Sequence, residues 1–556
     1  MFADAPDIPL LSILITIPLW GSLFLLRIDE NNRRNIINCA IFVCSFFFAI
    51  VIVLLLAIFP APDIMYFFEK HYFIPLHGIN FTIGLTPISL LFLFLLSLVA
   101  FVMVILCEYG QLVKREILRL MFLLSCSAIV FCSINVLIFY IFSEVIVCMF
   151  LLITKTDFIG LPGRAASVSR KSRDAVQRIH KLSVTVYILM GVLSSVIFCL
   201  FFLKFSCHFD GIPPFIQQMQ LVSPVPDVLR FLLLVALLIR IELSSTFVFV
   251  EESSRKNSIQ FPFLLSSLLF LIEAYSLQKF LLFTIFTHKM MYVAVGLALV
   301  VFIKAIVSLV LFFRRGTQHF LFIIPCIKQI TLSQLMLMLL TQMPEYFITA
   351  LVMNYIVCVI GVFFSFFMHA RLQSTCCERQ FIESSVFEKN KIFNSLSIQT
   401  KVVNLCLCYF IASLVGIPGT LGFCNLYDLF AHFLHTDNFV LALCYFPLFV
   451  LEVFIMIKIV HSFLLCQRNA SGAAVQGAEL FGGKTAKKFS LAMYGSVFFG
   501  RGSGLYSDSG VGDGSRNARF GVLHVIVMIA IALISFAIKP DLMHHTQLQK
   551  VDRFVG

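Results

Sequence analysis

Ionisable side chains occur in this sequence where an apolar chain can least accommodate them. Glu144, Arg240, Glu242, Glu273, Lys304, Lys328, Glu452 and Lys458 each interrupt a run of apolar residues long enough to cross a membrane. A charge at the centre of such a run costs about 2.5–3.5 kcal/mol on insertion scales, so each needs a partner, a water cavity or a function. Carboxylates and lysines change their proton affinity with burial and with neighbouring charge, and groups of this kind suit proton transfer along a hydrated axis near the midplane. The bland reading is that they are buried ion pairs, Arg240 with Glu144 for example, which fix helix register and move nothing.

A second feature is a stretch that cannot remain a regular helix, Gly416-Ile417-Pro418-Gly419-Thr420-Leu421-Gly422-Phe423. Pro418 removes a backbone donor, while Gly416, Gly419 and Gly422 lower the cost of irregular dihedrals. Backbone groups freed at membrane depth are tolerated only against protein or water. Discontinuous helices of this kind mark ion paths in transporters built from inverted repeats.

The elements that must position these groups follow from composition. Of 556 residues, 60% are hydrophobic and 13% charged, with a mean hydropathy of +0.99. A soluble domain is about 45–50% apolar and about 25% charged, so this chain is a polytopic membrane protein. Runs of about 17–25 apolar residues, the length that crosses the hydrocarbon layer, lie near 8–26, 36–58, 86–106, 118–133, 135–153, 182–203 and 229–249. Seven more lie near 261–284, 290–313, 319–342, 347–369, 402–424, 438–464 and 521–538, for an expected fourteen.

Charge tests that count. With charges near span ends (Arg119, Arg230, Lys279) counted in the adjoining connection, the connections after odd-numbered spans hold 29 of the 41 Lys and Arg and those after even-numbered spans, with the C-terminal tail, hold 8. Such asymmetry is the positive-inside rule, and one miscounted span would scramble it. The net charge of +12 is therefore mostly a topology signal, with both termini expected on the outer side, and nucleic acid need not be invoked.

Two polar insertions stand out, Thr154–Lys181 and Gln467–Gly521, the second holding 12 of the 27 glycines. Gly482-Gly483-Lys484-Thr485 within it is no phosphate loop, because Gly477 sits one residue too early. The 17 cysteines fall mostly in apolar runs and form no CxxC pair, which suits small buried side chains better than disulfides or a metal centre. The acidic start Met-Phe-Ala-Asp-Ala-Pro-Asp is unlike a secretory or transit segment, so the first span is expected to be retained. Phe occurs 64 times and Trp once, a bias common in T-rich, organelle-type genes.

Residues 416–423 look like the LPGTxGF signature at the broken helix of the antiporter-like subunits of respiratory complex I and of Mrp-type cation/proton antiporters. Leu137-Ile-Phe-Tyr-Ile-Phe-Ser-Glu144, continuing through Met149 to Ile153, resembles the LFYxFFExxLIPMFLLI segment of the complex's subunit 4. Pro9 to Gly21 is similar to that subunit's first span.

The resemblance implies an all-α fold of about fourteen transmembrane helices with inverted repeats. It divides into spans one to three (1–117), a five-helix repeat (118–285), a second repeat (286–466), a Gly-rich insertion (467–520) and a final span with its tail (521–556). It further implies proton translocation coupled to NADH:ubiquinone electron transfer in the mitochondrial inner membrane. Partners would be the other membrane-arm subunits, neighbouring antiporter-like subunits above all, and lipids such as cardiolipin. NADH, FMN, iron–sulfur clusters and ubiquinone would be bound by other subunits, with no cofactor in this chain.

Glu144 matches the family's coupling glutamate, and Arg240 stands for a central lysine, although arginine releases its proton far less readily. The family's span-eight lysine falls near Leu271, and its two later histidines near Gln334 and Asn354. Its terminal glutamate falls near Leu426, where the nearest acid is Asp428. Glu273, Lys304, Lys328 and Asp428 are the candidates to replace the missing groups. Two rival readings are an Mrp-type cation/proton antiporter and a scaffold subunit whose proton path has decayed.

Overall fold

The structure, a computed structural model, describes residues 9–58, 66–74, 79–107, 113–134, 136–159, 260–284, 323–340, 345–382 and 405–435. It also describes 191–201 and isolated positions at 189, 203–204, 228, 231–233, 235–236, 239, 303, 402–403, 446, 450 and 453–454. The insertion at 467–520 and the span expected near 521–538 lie outside these residues, as do nearly all of those expected near 290–313 and 438–464.

The described chain is built mainly of apolar helices: α1 (Leu10–Arg27), α2 (Arg33–Ile58), α3 (Pro87–Cys107), α4 (Val113–Cys132) and α5 (Val136–Ile159). A short helix α6 (Gly191–Phe201) follows, then α7 (Gln260–Thr284), α8 (Ile323–Leu340) and α9 (Glu345–Ile382). The last two are α10 (Leu405–Val415) and α11 (Leu421–His435). Among the described residues, Leu10–Arg27, Arg33–Leu56, Pro87–Leu106 and Phe347–Ser365 are each long and apolar enough to cross a membrane. α5 runs six residues into the insertion expected to begin at Thr154.

One element departs from an all-helical reading. Tyr66–Ile74 (β1) and Ile79–Leu85 (β2) pair antiparallel between α2 and α3, with Glu69 opposite Ile83 and Tyr72 opposite Asn80. Both segments are rich in Phe, Tyr, Ile and Thr, residues that fill a pleated surface well, and Pro75 to Gly78 separates them.

The chain divides into two units, residues 1–253 with 267–299 and residues 254–266 with 300–556, and it passes from one to the other within α7. In the first, α4 packs against α1, α3 and α5. Gly21 of α1 lets α2 approach closely, since a Cβ there would lie 2.7 Å from Val43. The Ser125 hydroxyl of α4 donates to the Ile15 carbonyl of α1 at 2.8 Å. α3 begins with a reciprocal cap around Pro87: Ser89 N–H donates to Thr86 Oγ1 (3.1 Å) and Thr86 N–H to Ser89 Oγ (2.7 Å). Trp20, Phe42 and Leu56 leave α1 and α2 with exposed apolar faces, as lipid contact requires.

In the second unit α9 is the centre. Some 89% of its apolar stretch is buried, against 33% for that of α1, and it packs on α8 and α11. Tyr355 donates to the Ser266 carbonyl (3.4 Å), and the rings of Phe263 and Phe363 meet edge to face at 5.1 Å.

Candidate functional site

The broken helix is where the sequence places it, but it is shorter. α10 stops at Val415, the chain turns through residues 416–420, and α11 resumes at Leu421, so Gly422 and Phe423 are helical rather than part of the break. Gly416 (φ 76°) and Gly419 (φ 92°) occupy the left-handed region that costs a side-chain-bearing residue about 1–2 kcal/mol. The turn satisfies its own backbone in part: Ile417 N–H donates to the Ala412 carbonyl (3.0 Å), and Thr420 donates to the Ile417 carbonyl through both its N–H (3.1 Å) and its hydroxyl (2.7 Å). Gly422 has a different reason to be glycine. A Cβ there would collide with the Ser413 carbonyl, so this residue lets the two half-helices pass.

Asn354, in the first third of α9, grips the break. Its amide nitrogen donates to the Ser413 carbonyl (3.3 Å), and its amide oxygen accepts from the Ser413 hydroxyl (2.9 Å). The Cys358 thiol donates to the same oxygen (3.4 Å). Asn354 and Ser413 are 4% and 0% exposed, so these bonds replace water for groups that would otherwise be stranded in an apolar medium. Seven residues further along α9, Gly361 leaves room for the ring of Phe410.

A second polar cluster lies in the first unit. α4 ends at Cys132, and the Ser133 backbone bridges to Ile83 of β2 before α5 begins. The ammonium of Lys279, from α7, donates to the Ser133 carbonyl (2.7 Å), and the hydroxyl of Tyr275 donates to the Phe131 carbonyl (2.9 Å). Lys279 Nζ is also 3.2 Å from the Tyr275 oxygen and 5.8 Å from the Phe139 ring centre. The Tyr275 ring is enclosed by Phe92 and Phe131 at 5.2 and 5.1 Å. A cation at the carbonyl end of a helix is favoured by the helix dipole and by charge-assisted hydrogen bonding.

Of the six expected proton-path residues, Glu144 is half-buried on α5 and Glu273 is buried on α7, both in the first unit. Lys328, buried on α8, and Asp428, half-buried on α11, belong to the second. Arg240 and Lys304 lie outside the described residues, and the Arg240–Glu144 pair with them. Sequence reasoning missed a role for Lys279, which it counts with the connection although the residue lies inside α7, and it missed the bonds that join Asn354 to Ser413. Among the described residues no cluster of three or more His, Cys, Asp or Glu could hold a metal ion.

Over 81% of its length the chain superposes on a chain of the Mrp complex from Dietzia sp. DQ12-45-1b, covering 78% of that chain at a TM-score of 0.60 and 13% identity. Over 94% it superposes on a chain of respiratory complex I from Thermus thermophilus, covering 95% of it at a TM-score of 0.56 and 14% identity. The fold is shared with these chains of the Mrp complex and of respiratory complex I. Likeness in sequence is more local: 193 residues are 31% identical to NADH-ubiquinone oxidoreductase chain 4 of Marchantia polymorpha, or 34% of this chain and 37% of that one. The chain thus spans little more than a third of the curated relative it matches. No family model matches it.

Proposed function

We propose that this antiporter-like subunit is chain 4 of a respiratory complex I and carries protons across the mitochondrial inner membrane, driven by quinone reduction in other subunits. The observation that supports the reading most is a conjunction. A polytopic antiporter-like fold, 31% identical over 193 residues to a chain 4, places ionisable groups inside its spans and breaks one helix at Gly416–Thr420. Glu144 would take and release the proton on α5. Glu273 in the first unit and Lys328 in the second would serve as buried stations. The break in the second unit would give access towards the outer side. NADH, FMN, iron–sulfur clusters and ubiquinone belong to partner subunits in this reading, and cardiolipin would fill the apolar faces of α1 and α2.

Native electrophoresis of a mild-detergent membrane extract, stained in the gel for NADH dehydrogenase and probed for this chain, tests the assignment. Co-migration with the megadalton active band is expected; migration apart from all NADH activity would overturn it. The likeness to the Mrp complex favours one second reading, a cation/proton antiporter working without redox partners. Sodium-dependent proton exchange by vesicles carrying this chain alone would select it.

A further inference from the structure

We propose that Asn354 is a positioning residue for the broken helix: a non-titrating latch that holds the end of α10 and thereby sets how open the break at 416–420 is to protons. The inference rests on the proton-translocation reading for its functional half only.

A broken helix leaves its last carbonyls without the N–H groups that a continuing helix would supply. Here the Ala412 carbonyl is served by Ile417, inside the turn, but the Ser413 carbonyl has from the turn only the Gly416 N–H at 3.3 Å. Asn354 supplies a second donor to it and binds the Ser413 hydroxyl as well, so a single side chain on α9 holds both the backbone and the side chain of one residue. The arrangement is directional. An amide offers a donor and an acceptor at this spacing with no titratable proton, and the acceptor is held further by Cys358. Gly422 brings α11 to the same carbonyl, within 3.3 Å of the Asn354 amide nitrogen as measured from where a Cβ would stand. One atom group, Ser413 C=O, is therefore the meeting point of α9, α10 and α11. An apolar helix interior does not favour asparagine, and a buried amide is costly unless its bonds are made, so this residue has a task that Leu or Ala could not perform. An amide neither gains nor loses a proton near neutral pH, and that task is holding rather than carrying.

The test uses the assembled complex in its membrane with three variants. Asn354→Ala removes both bonds together with the side chain, Asn354→Leu removes both while refilling the site with an apolar group, and Ser413→Ala removes only the hydroxyl bond. Hydrogen–deuterium exchange of the segment 413–420 reads the latch itself, and protons moved per NADH oxidised reads its function. Exchange should speed up at least several-fold in Asn354→Leu and Asn354→Ala and less in Ser413→Ala. The proton ratio should fall in the first two while NADH oxidation continues. Adding Ser413→Ala to Asn354→Leu should change nothing further. Unchanged exchange in both Asn354 variants would overturn the latch. Faster exchange with an unchanged proton ratio would overturn its functional half; if Glu144→Gln also left the ratio unchanged, the proton reading itself would fall with it. Should Asn354→Leu fail to assemble, Asn354→Ala and Ser413→Ala carry the comparison.

Discussion

The ammonium of Lys279 donates to the carbonyl of Ser133 across 2.7 Å, so a cation from α7 closes the carbonyl end of α4 just before the chain re-enters a helix at Val136. Lys114 does the same for α1, reaching the carbonyls of Leu26 (3.1 Å) and Ile28 (2.5 Å). Two lysines that topology rules count only as charge are thus helix-end fittings, although Lys114 lies at the edge of its helix and Lys279 within the body of its own.

Replacing Lys279 should therefore act on stability. Lys279→Met strips a charge-assisted bond from the Ser133 carbonyl, with an expected cost of about 1.5–3 kcal/mol. Tyr275→Phe keeps the ring among Phe92 and Phe131 but loses the bond to the Phe131 carbonyl, about 1 kcal/mol, and the oxygen that accepts from Lys279. Thermal inactivation of the purified complex should show both. Because the two groups touch, the double variant should lose less than the sum.

Three glycines at the break should rank by what a methyl group would meet. Gly422→Ala drives Cβ into the Ser413 backbone, which cannot yield, and should abolish assembly. Gly416→Ala meets the more flexible Leu426 side chain in a left-handed conformation and should be intermediate. Gly419→Ala faces open space and should cost only the backbone penalty, about 1–2 kcal/mol. Yield of assembled complex for the three variants checks the order; Gly419→Ala as the worst would contradict it.

Gln278 is 3% exposed, and among the described residues neither its amide nitrogen nor its amide oxygen has a hydrogen-bond partner. A buried amide of this kind lowers stability, so Gln278→Leu is expected to leave the melting temperature unchanged or to raise it. A drop of several degrees would reveal an internal water or partner that the amide serves.

On the proposed proton-translocation reading, Glu144→Gln should leave assembly and NADH oxidation intact while lowering the number of protons moved per NADH. Glu144 is half-buried on α5, so removing its charge creates no cavity and strands no large apolar surface. Vesicles loaded with a pH-sensitive dye read the ratio directly, and an unaltered ratio would remove Glu144 from the path.

The helices were legible because an apolar stretch of membrane-crossing length has few alternatives to a helix in lipid, where every backbone group must bond within the segment or to protein. Gly416, Pro418 and Gly419 were legible as a break because their dihedral preferences are local. The extent of the break was not, since Gly422 serves a close approach between half-helices that only packing reveals. The hairpin was hidden by aromatic residues that read equally as apolar filler. The Asn354–Ser413 bonds join positions 59 residues apart, and no period or motif in one sequence records such a pairing.

Helix α9 runs for 38 residues, about 57 Å at 1.5 Å per residue, nearly twice the hydrocarbon thickness of about 30 Å. Asn354 lies in its first third, and Ile382, at its far end, is about 42 Å away along the axis. The helix is in effect a lever with its short arm clamped to the broken span. A tilt of about 5° around Asn354 sweeps the far end through about 4 Å. A movement too small to rupture packing inside the bilayer becomes, beyond it, a displacement that a neighbouring protein surface could register.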